Sequence, residues 1–254
     1  MILYKYLKPD KNTLKVIKSN KFCFSKPRTF NDPFDGFISL PKESSFEETL
    51  KHINANTKHG NPYGDSEYRD LLIEYIKDND LKSLINTIYL NDEYSYIENA
   101  LSDVGVLCLS GEELNPLMWS HYAEGHSGIC IGIEIDDLQS HDDFIFTKIN
   151  YTDERPIINT NKLEDPDNIQ KILGTKHLNW QYENEYRVIT KNPILEEERA
   201  LIHLPIKIKE IIFGIKSKNI FVEKIKKIRN PDFKYYQLTH NYFDFKLRKL
   251  PLNF

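Results

Sequence analysis

The sequence predicts an α+β fold with mixed or mainly antiparallel sheets, flanking helices and a helical insertion. Three observations carry this. In the second half of the chain, strand-like runs outnumber helical ones, at irregular spacing. The stretch from about 42 to 103 is charged, rich in Tyr and Asn, and helical in period. No GxGxxG or P-loop opens a helix, so a doubly wound nucleotide fold has no motif behind it.

The elements follow in order. Residues 2–6 (ILYKY) read as a strand. Thr13 is placed to cap a short helix through Ser19 that carries Leu14 and Ile17 on one face. KFCFS (21–25) is a second strand, and PRTFNDPFDG a loop of turn formers. Within the insertion, Leu71, Leu72, Tyr75 and Ile76 form one helical stripe, and 54–65 reads as the most mobile loop. VGVLCLS (104–110) is a buried strand. Asn115 and Pro116 mark a helix start that stops at Gly125. GICIGIEI (128–135) alternates, with Ile129, Ile131, Ile133 and Ile135 on one face. A helix is expected from Asp165–Pro166 to about Trp180. Strands are expected at 185–191, 201–206 and 209–214, a helix capped by Ser217, and two strands in KYYQL and YFDFKLRKL. The whole, 1–254, reads as a single domain with the insertion at about 42–103.

With 254 residues, folding should bury roughly 70–75% of the extended surface, enough for a core without disulfide staples. The net charge of −4 argues against nucleic-acid binding by bulk charge. The run Lys224, Lys226, Lys227, Arg229 reads as a solvated helix face. No apolar run approaches a membrane span, and the amino terminus lacks a secretory pattern, so the expectation is a cytoplasmic protein with no membrane contact. Cys23, Cys108 and Cys130 form no CxxC pair and read as buried free thiols. His121 and His126 with Asp136 have metal-ligand residue types, but their spacing spans a helix end, and no metal is expected.

Three polar-aromatic clusters remain. In Phe30–Asp35, Asn31, Asp32 and Asp35 either close a turn or bind ribose hydroxyls. Around α-helical residues 118–122, Trp119, His121 and Tyr122 sit near Ser110, which ends a strand. In 180–187, Glu183, Glu185 and Arg187 share a face at a strand entrance, with Trp180 and Tyr182 alongside. One reading is a solvated edge strand. The other is an acid pair with Arg187 either holding one acid ionised or gripping a phosphate.

The order LYKY, FNDPFD, CLS, PLMWSHYAEGHSGICIGIE, INY, KHLNWQYENEYRVI, IKEIIFG resembles the bacterial family catalogued as domain of unknown function 2971, from about residue 3 to 214. That family carries no established activity. The order of parts is also similar to the ADP-ribosyltransferase superfamily. The matching positions are Tyr4, Lys5 or Tyr6 on the first strand, Ser110, and Glu183-x-Glu185. No Arg or His occupies the first strand, and Ser110 lacks flanking Thr-Ser. This second resemblance implies NAD as substrate, an ADP-ribosyltransferase-like cleft between two small sheets, and a protein or nucleic-acid acceptor. Under it, Glu185, Glu183 and His121 are catalytic. Tyr4, Tyr6, Asn31, Asp32, Asp35, Ser110, Trp119, Tyr122, Trp180 and Arg187 bind ligand. Glu185→Gln should then abolish turnover and leave folding intact. The alternatives are a metal-dependent phosphodiesterase or a non-catalytic nucleotide- or partner-binding module of a bacterial defence or toxin system.

Overall fold

The computed structural model describes residues 1–36, 99, 101–138, 141–156, 158, 166–195, 198–228 and 232–252. The predicted insertion, with its Leu71–Ile76 stripe and 54–65 loop, falls outside these except for 99 and 101–103. The element labels that follow number what is described.

The chain opens with strand β1 (Ile2–Leu7), helix α1 (Lys11–Ser19) and strand β2 (Lys21–Ser25). The cap of α1 is Asp10, whose carboxylate accepts the Thr13 amide at 2.8 Å; Thr13 instead donates its hydroxyl to the Lys8 carbonyl. Strand β3 (Val106–Ser110) follows, then helix α2 (Pro116–Tyr122). Asn115 caps α2 as expected, accepting from the Leu117 amide at 2.9 Å. The helix ends at Tyr122, and Glu124, Gly125 and His126 then take positive φ in succession. That tight reversal delivers Gly128 against β1. A Cβ there would lie 2.1 Å from the Leu7 carbonyl oxygen, which only glycine avoids.

Strands β4 (Ile129–Glu134), β5 (Phe144–Lys148) and β6 (Asn150–Thr152) come next, the last two without a sequence expectation. Helix α3 (Pro166–Leu173) stops about two turns before the predicted end at Trp180. Gly174 breaks it, and β7 (Thr175–His177) pairs with β6 in its place. A 3-10 turn over Leu178–Glu183 leads into β8 (Glu185–Thr190). Strands β9 (Arg199–His203) and β10 (Lys207–Phe213), helix α4 (Asn219–Lys226) and strands β11 (Lys234–His240) and β12 (Leu247–Leu252) complete the fold. Ser217 does not cap α4; its hydroxyl bonds the Ser127 and Gly128 carbonyls. Residues 241–246, of which 242–246 were predicted as part of a strand, form the turn between β11 and β12.

This is an α+β fold with a mixed, mostly antiparallel sheet. Its order is β12-β11-β10-β4-β1-β3-β2-β9, with β8 on β3 and β5 on β8. Among the pairings, β10–β11 and β6–β7 are parallel. One face packs α1 and α4, through Val16, Ile17, Phe221 and Ile225, onto Leu3, Phe22, Ile131 and Ile211. The predicted isoleucine face of β4 lies here. Its other face is also covered: α2 lays Met118 and Trp119 against Tyr6, Cys130 and Ile212. Helix α3 closes a third cluster with Val106 and Ile189. No described helix is long and apolar enough to cross a membrane. All three cysteines are free; Cys130 is buried, whereas Cys23 and Cys108 are half-buried.

One feature of the sheet positions the site. Strand β3 pairs along its length with β8, but meets β1 only at Tyr4–Ser110. The two strands therefore splay apart, and the Lys5 ammonium bridges the gap by donating to the Cys108 carbonyl at 2.9 Å. A buried splay leaves backbone groups without ladder partners, so side chains must supply them.

Candidate functional site

The splay opens a cavity of about 110 Å³. Tyr4, Lys5 and Tyr6 form one lip and Cys108, Leu109 and Ser110 the other. Phe30, Asn31, Met118 and Tyr122 close the sides, and Asp35, Lys176, Glu183, Glu185 and Arg187 form the polar floor. The volume suits one ring-sized group or a few waters, well short of a whole dinucleotide.

The floor is an ion cage. Strand β8 is internal to the sheet, so Glu185 and Arg187 are buried, at 3% and 0% exposure, and the edge-strand reading fails. Arg187 donates from Nε to Glu185 Oε1 at 2.7 Å. Its Nη1 reaches Asp35 Oδ1 and the Leu173 carbonyl, both at 2.8 Å. Its Nη2 reaches Asp35 Oδ2 at 2.5 Å and Glu185 Oε2 at 3.2 Å. A guanidinium has five N–H donors, and all five are used. Arg187 thus has no donor left to grip a phosphate; it clamps Asp35 and Glu185 together.

Lys176, on β7, was not singled out in the sequence. Its Nζ lies 2.5 Å from Glu183 Oε2, 2.9 Å from Glu185 Oε2 and 3.8 Å from Asp35 Oδ2. Trp180 covers it, with Nζ 4.7 Å from the ring centroid. Burial opposes the charge on Lys176, but Glu185 and Glu183 outweigh it and hold the ammonium above its ordinary pKa.

The two acids have unlike environments. Burial disfavours the Glu185 carboxylate, yet Arg187 and Lys176 overcome this and hold it well below the usual range. It stays ionised. Glu183 is raised: burial dominates, and the pull of Lys176 does not fully offset burial and the neighbouring Glu185 charge. Glu183 is therefore the acid that first takes up a proton. Tyr122 donates to Glu183 Oε1 at 2.5 Å, and burial beside that carboxylate raises the phenol in turn. Asn31 bonds the same hydroxyl from the loop above. Two carboxylates with pKa values pushed apart are the arrangement by which one fold supplies both a fixed negative charge and a proton carrier.

Backbone pairing fixes this geometry. The left-handed Asn184 (φ 42°) turns the chain between Glu183 and Glu185, so both side chains reach Lys176. The Ser110 hydroxyl donates to the Glu183 carbonyl at 2.6 Å and accepts from the Glu112 amide at 3.0 Å. The Glu185 amide donates to the Tyr151 hydroxyl at 2.8 Å.

Of the residues predicted to act together, Tyr4, Tyr6, Asn31, Asp35, Ser110, Tyr122, Glu183, Glu185 and Arg187 line this one cavity. Four do not. Trp119 is fully buried in the core with Nε1 donating to the Glu113 carbonyl, so it has no face for a ligand. His121 is exposed, its ring 6.2 Å from those of Tyr122 and Tyr182. Asp32 closes the turn by accepting from the Phe34 amide at 2.9 Å. Trp180 lies behind Lys176, outside the lining. Lys5, offered beside Tyr4 and Tyr6 as a first-strand candidate, also lines the cavity, whereas Phe30, Cys108, Tyr151 and Lys176 were not selected as site residues. Cys108 lies on the strand of the selected Ser110, but no local pattern distinguishes Lys176. Its place depends on the β6–β7 pairing.

As for metal, Asp136 pairs with the amino terminus, His126 stacks on Trp119, and no trio of His, Cys, Asp or Glu among the described residues is placed to hold an ion. Where the three cavity carboxylates converge, the Lys176 ammonium already stands in the position a cation would take.

No curated protein and no solved structure matches the chain, and the likeness to ADP-ribosyltransferases is not shown. The segment that supplies Tyr122, Lys176, Glu183, Glu185 and Arg187, residues 118–188, matches the family described as protein of unknown function (DUF2971), the family that the sequence resembles.

Proposed function

We propose that the cavity cleaves the nicotinamide–ribose bond of NAD and passes ADP-ribose to water or to an acceptor on a protein or nucleic acid. One observation carries the reading. Tyr4 lies opposite Ser110, and Ser110 opposite Glu185, in a single row across three adjacent strands. These are the three positions that the weaker resemblance selected from distant parts of the chain.

The chemistry fits the two acids. The C1′–N bond breaks with its electron pair leaving on the nicotinamide nitrogen. The ribose then carries oxocarbenium charge, which the ionised Glu185 stabilises across the cavity. The acceptor attacks C1′ and gives up its proton, for which Glu183 is the suited base. The small cavity takes the ring, with Tyr4, Tyr6 and Phe30 as apolar walls, and the phosphates stay at the mouth. Arg187 positions Glu185 and does not contact substrate. The free thiols accord with a reducing, cytoplasmic setting.

The metal-dependent alternative is less well supported, because the Lys176 ammonium occupies the point where Asp35, Glu183 and Glu185 converge. The test is incubation of the purified protein with NAD without added metal, with free nicotinamide measured and NAD binding followed by calorimetry. Release that is lost in Glu183→Gln, with folding retained, supports the reading. Binding without release, in the presence of cell extract as acceptor source, would make the protein a binding module. Neither binding nor release would overturn the NAD assignment.

A further inference from the structure

The 241–246 turn between β11 and β12 carries three exposed aromatic rings. Tyr242 is 91% exposed, Phe243 92% and Phe245 104%. Large apolar side chains are scattered singly on most surfaces, but three within four residues form a patch. The turn beneath them is held from inside. The Asn241 amide donates to the Lys246 carbonyl at 2.9 Å. The Asp244 carboxylate accepts from Asn241 Nδ2 at 2.5 Å and from the Lys246 amide at 3.0 Å. Asn241 Oδ1 also accepts from the Phe243 amide at 3.4 Å.

Basic residues gather at this end of the sheet. Lys246 and Arg248 flank the rings, and both are exposed. The amide of exposed Lys216 bonds the His126 carbonyl at 2.9 Å, and Lys216 and His240 both lie near the His126 ring. Lys218, also exposed, begins α4 two residues on. Among the described residues next to these positions in sequence, the acids are Glu124 and Asp244, the latter bonded within the turn. In a chain of net charge −4, this end is locally positive.

We propose that the 241–246 tip is a peripheral membrane-contact site that inserts Tyr242, Phe243 and Phe245 into the interface of an anionic bilayer. Aromatic rings at the headgroup level with basic residues around them are the composition of interfacial anchors. Internal pairing of turn donors lowers the cost of entering a medium poor in water. The near-complete exposure of all three rings, at the tip of a turn between two strands, favours insertion into a bilayer over stacking with nucleic-acid bases. The expectation of no membrane contact rested on the lack of a spanning run, and a peripheral anchor needs none. The proposal is independent of the cavity's chemistry.

The test is co-sedimentation of the full chain with vesicles of phosphatidylcholine alone and with about 30 mol% phosphatidylserine added. Binding should be selective for the anionic vesicles and weaken with salt. Phe243→Ser with Phe245→Ser should lower the partition coefficient roughly tenfold or more. Lys246→Glu with Arg248→Glu should remove the preference for anionic lipid. These side chains bury little, so unchanged circular dichroism and urea midpoint should certify the fold. Vesicle binding that survives the double Phe variant overturns the proposal. So does absence of vesicle binding, whether the tip instead binds a single-stranded oligonucleotide or joins two copies in analytical ultracentrifugation.

Discussion

Lys176→Met keeps all but the terminal atom of the side chain's length and deletes its charge. The ammonium faces Glu183 at 2.5 Å, Glu185 at 2.9 Å and Asp35 at 3.8 Å. Arg187 remains on Asp35 and Glu185, so the uncompensated charge falls on Glu183. Breaking a buried pair from one side costs about 3–5 kcal/mol. Protonation of Glu183 caps that penalty. Holding neutral an acid whose unfolded pKa is about 4.3 costs about 1.4 kcal/mol per pH unit, hence about 3.7 kcal/mol at pH 7 and about 1 kcal/mol at pH 5. The sign follows from the raised folded pKa. Such a group favours the folded state below its unfolded pKa and loses that contribution as pH rises through the folded value. The variant's deficit should therefore grow from pH 5 to pH 7. Urea unfolding of wild type and variant at pH 5, 6 and 7 measures it. The expected deficit is about 3–4 kcal/mol at pH 7, shrinking by about 2–3 kcal/mol at pH 5. A deficit at pH 7 under about 1 kcal/mol, or one that does not shrink on acidification, would refute the ion cage as drawn.

Two further outcomes follow from the same geometry. Glu185→Gln faces two buried cations with a neutral amide, so it should lose about 3–5 kcal/mol in urea unfolding at pH 7, whereas Glu183→Gln should lose under about 2 kcal/mol. This reverses the sequence-level expectation that Glu185→Gln leaves folding intact; equal stability of the two variants would count against it. Burial, with the nearby Glu185 charge, pushes the Cys108 thiol up to about 12. At pH 8 its thiolate fraction should be roughly one in ten thousand, so iodoacetamide should label it over a hundredfold more slowly than in the urea-unfolded chain. Comparable rates by mass spectrometry would show that the thiol is not held this way.

The sequence by itself determined what depends on neighbours within a few residues. KFCFS became β2 unchanged, CLS ended β3, and the Asn115–Pro116 cap began α2, because strand alternation and capping are local. It also located most of the cavity's polar residues, since FNDPFD and ENEYR place carboxylates beside aromatics in the wrong company for a plain core. The tertiary structure decided which of these groups meet and what remains free to react. Arg187 and Asp35 are 152 positions apart, and Lys5 and the Cys108 carbonyl 103. No periodicity reports such partners. Gly174 ended α3 early and let β7 carry Lys176 into the carboxylates, while β1 and β3, joined at one pair, opened the cavity. Residue types fixed the chemistry on offer. Strand register decided that Glu185 is locked as an anion, that Arg187 is saturated, and that Glu183 is the first of the two acids to take up a proton, because burial and pairing at these distances set each charge.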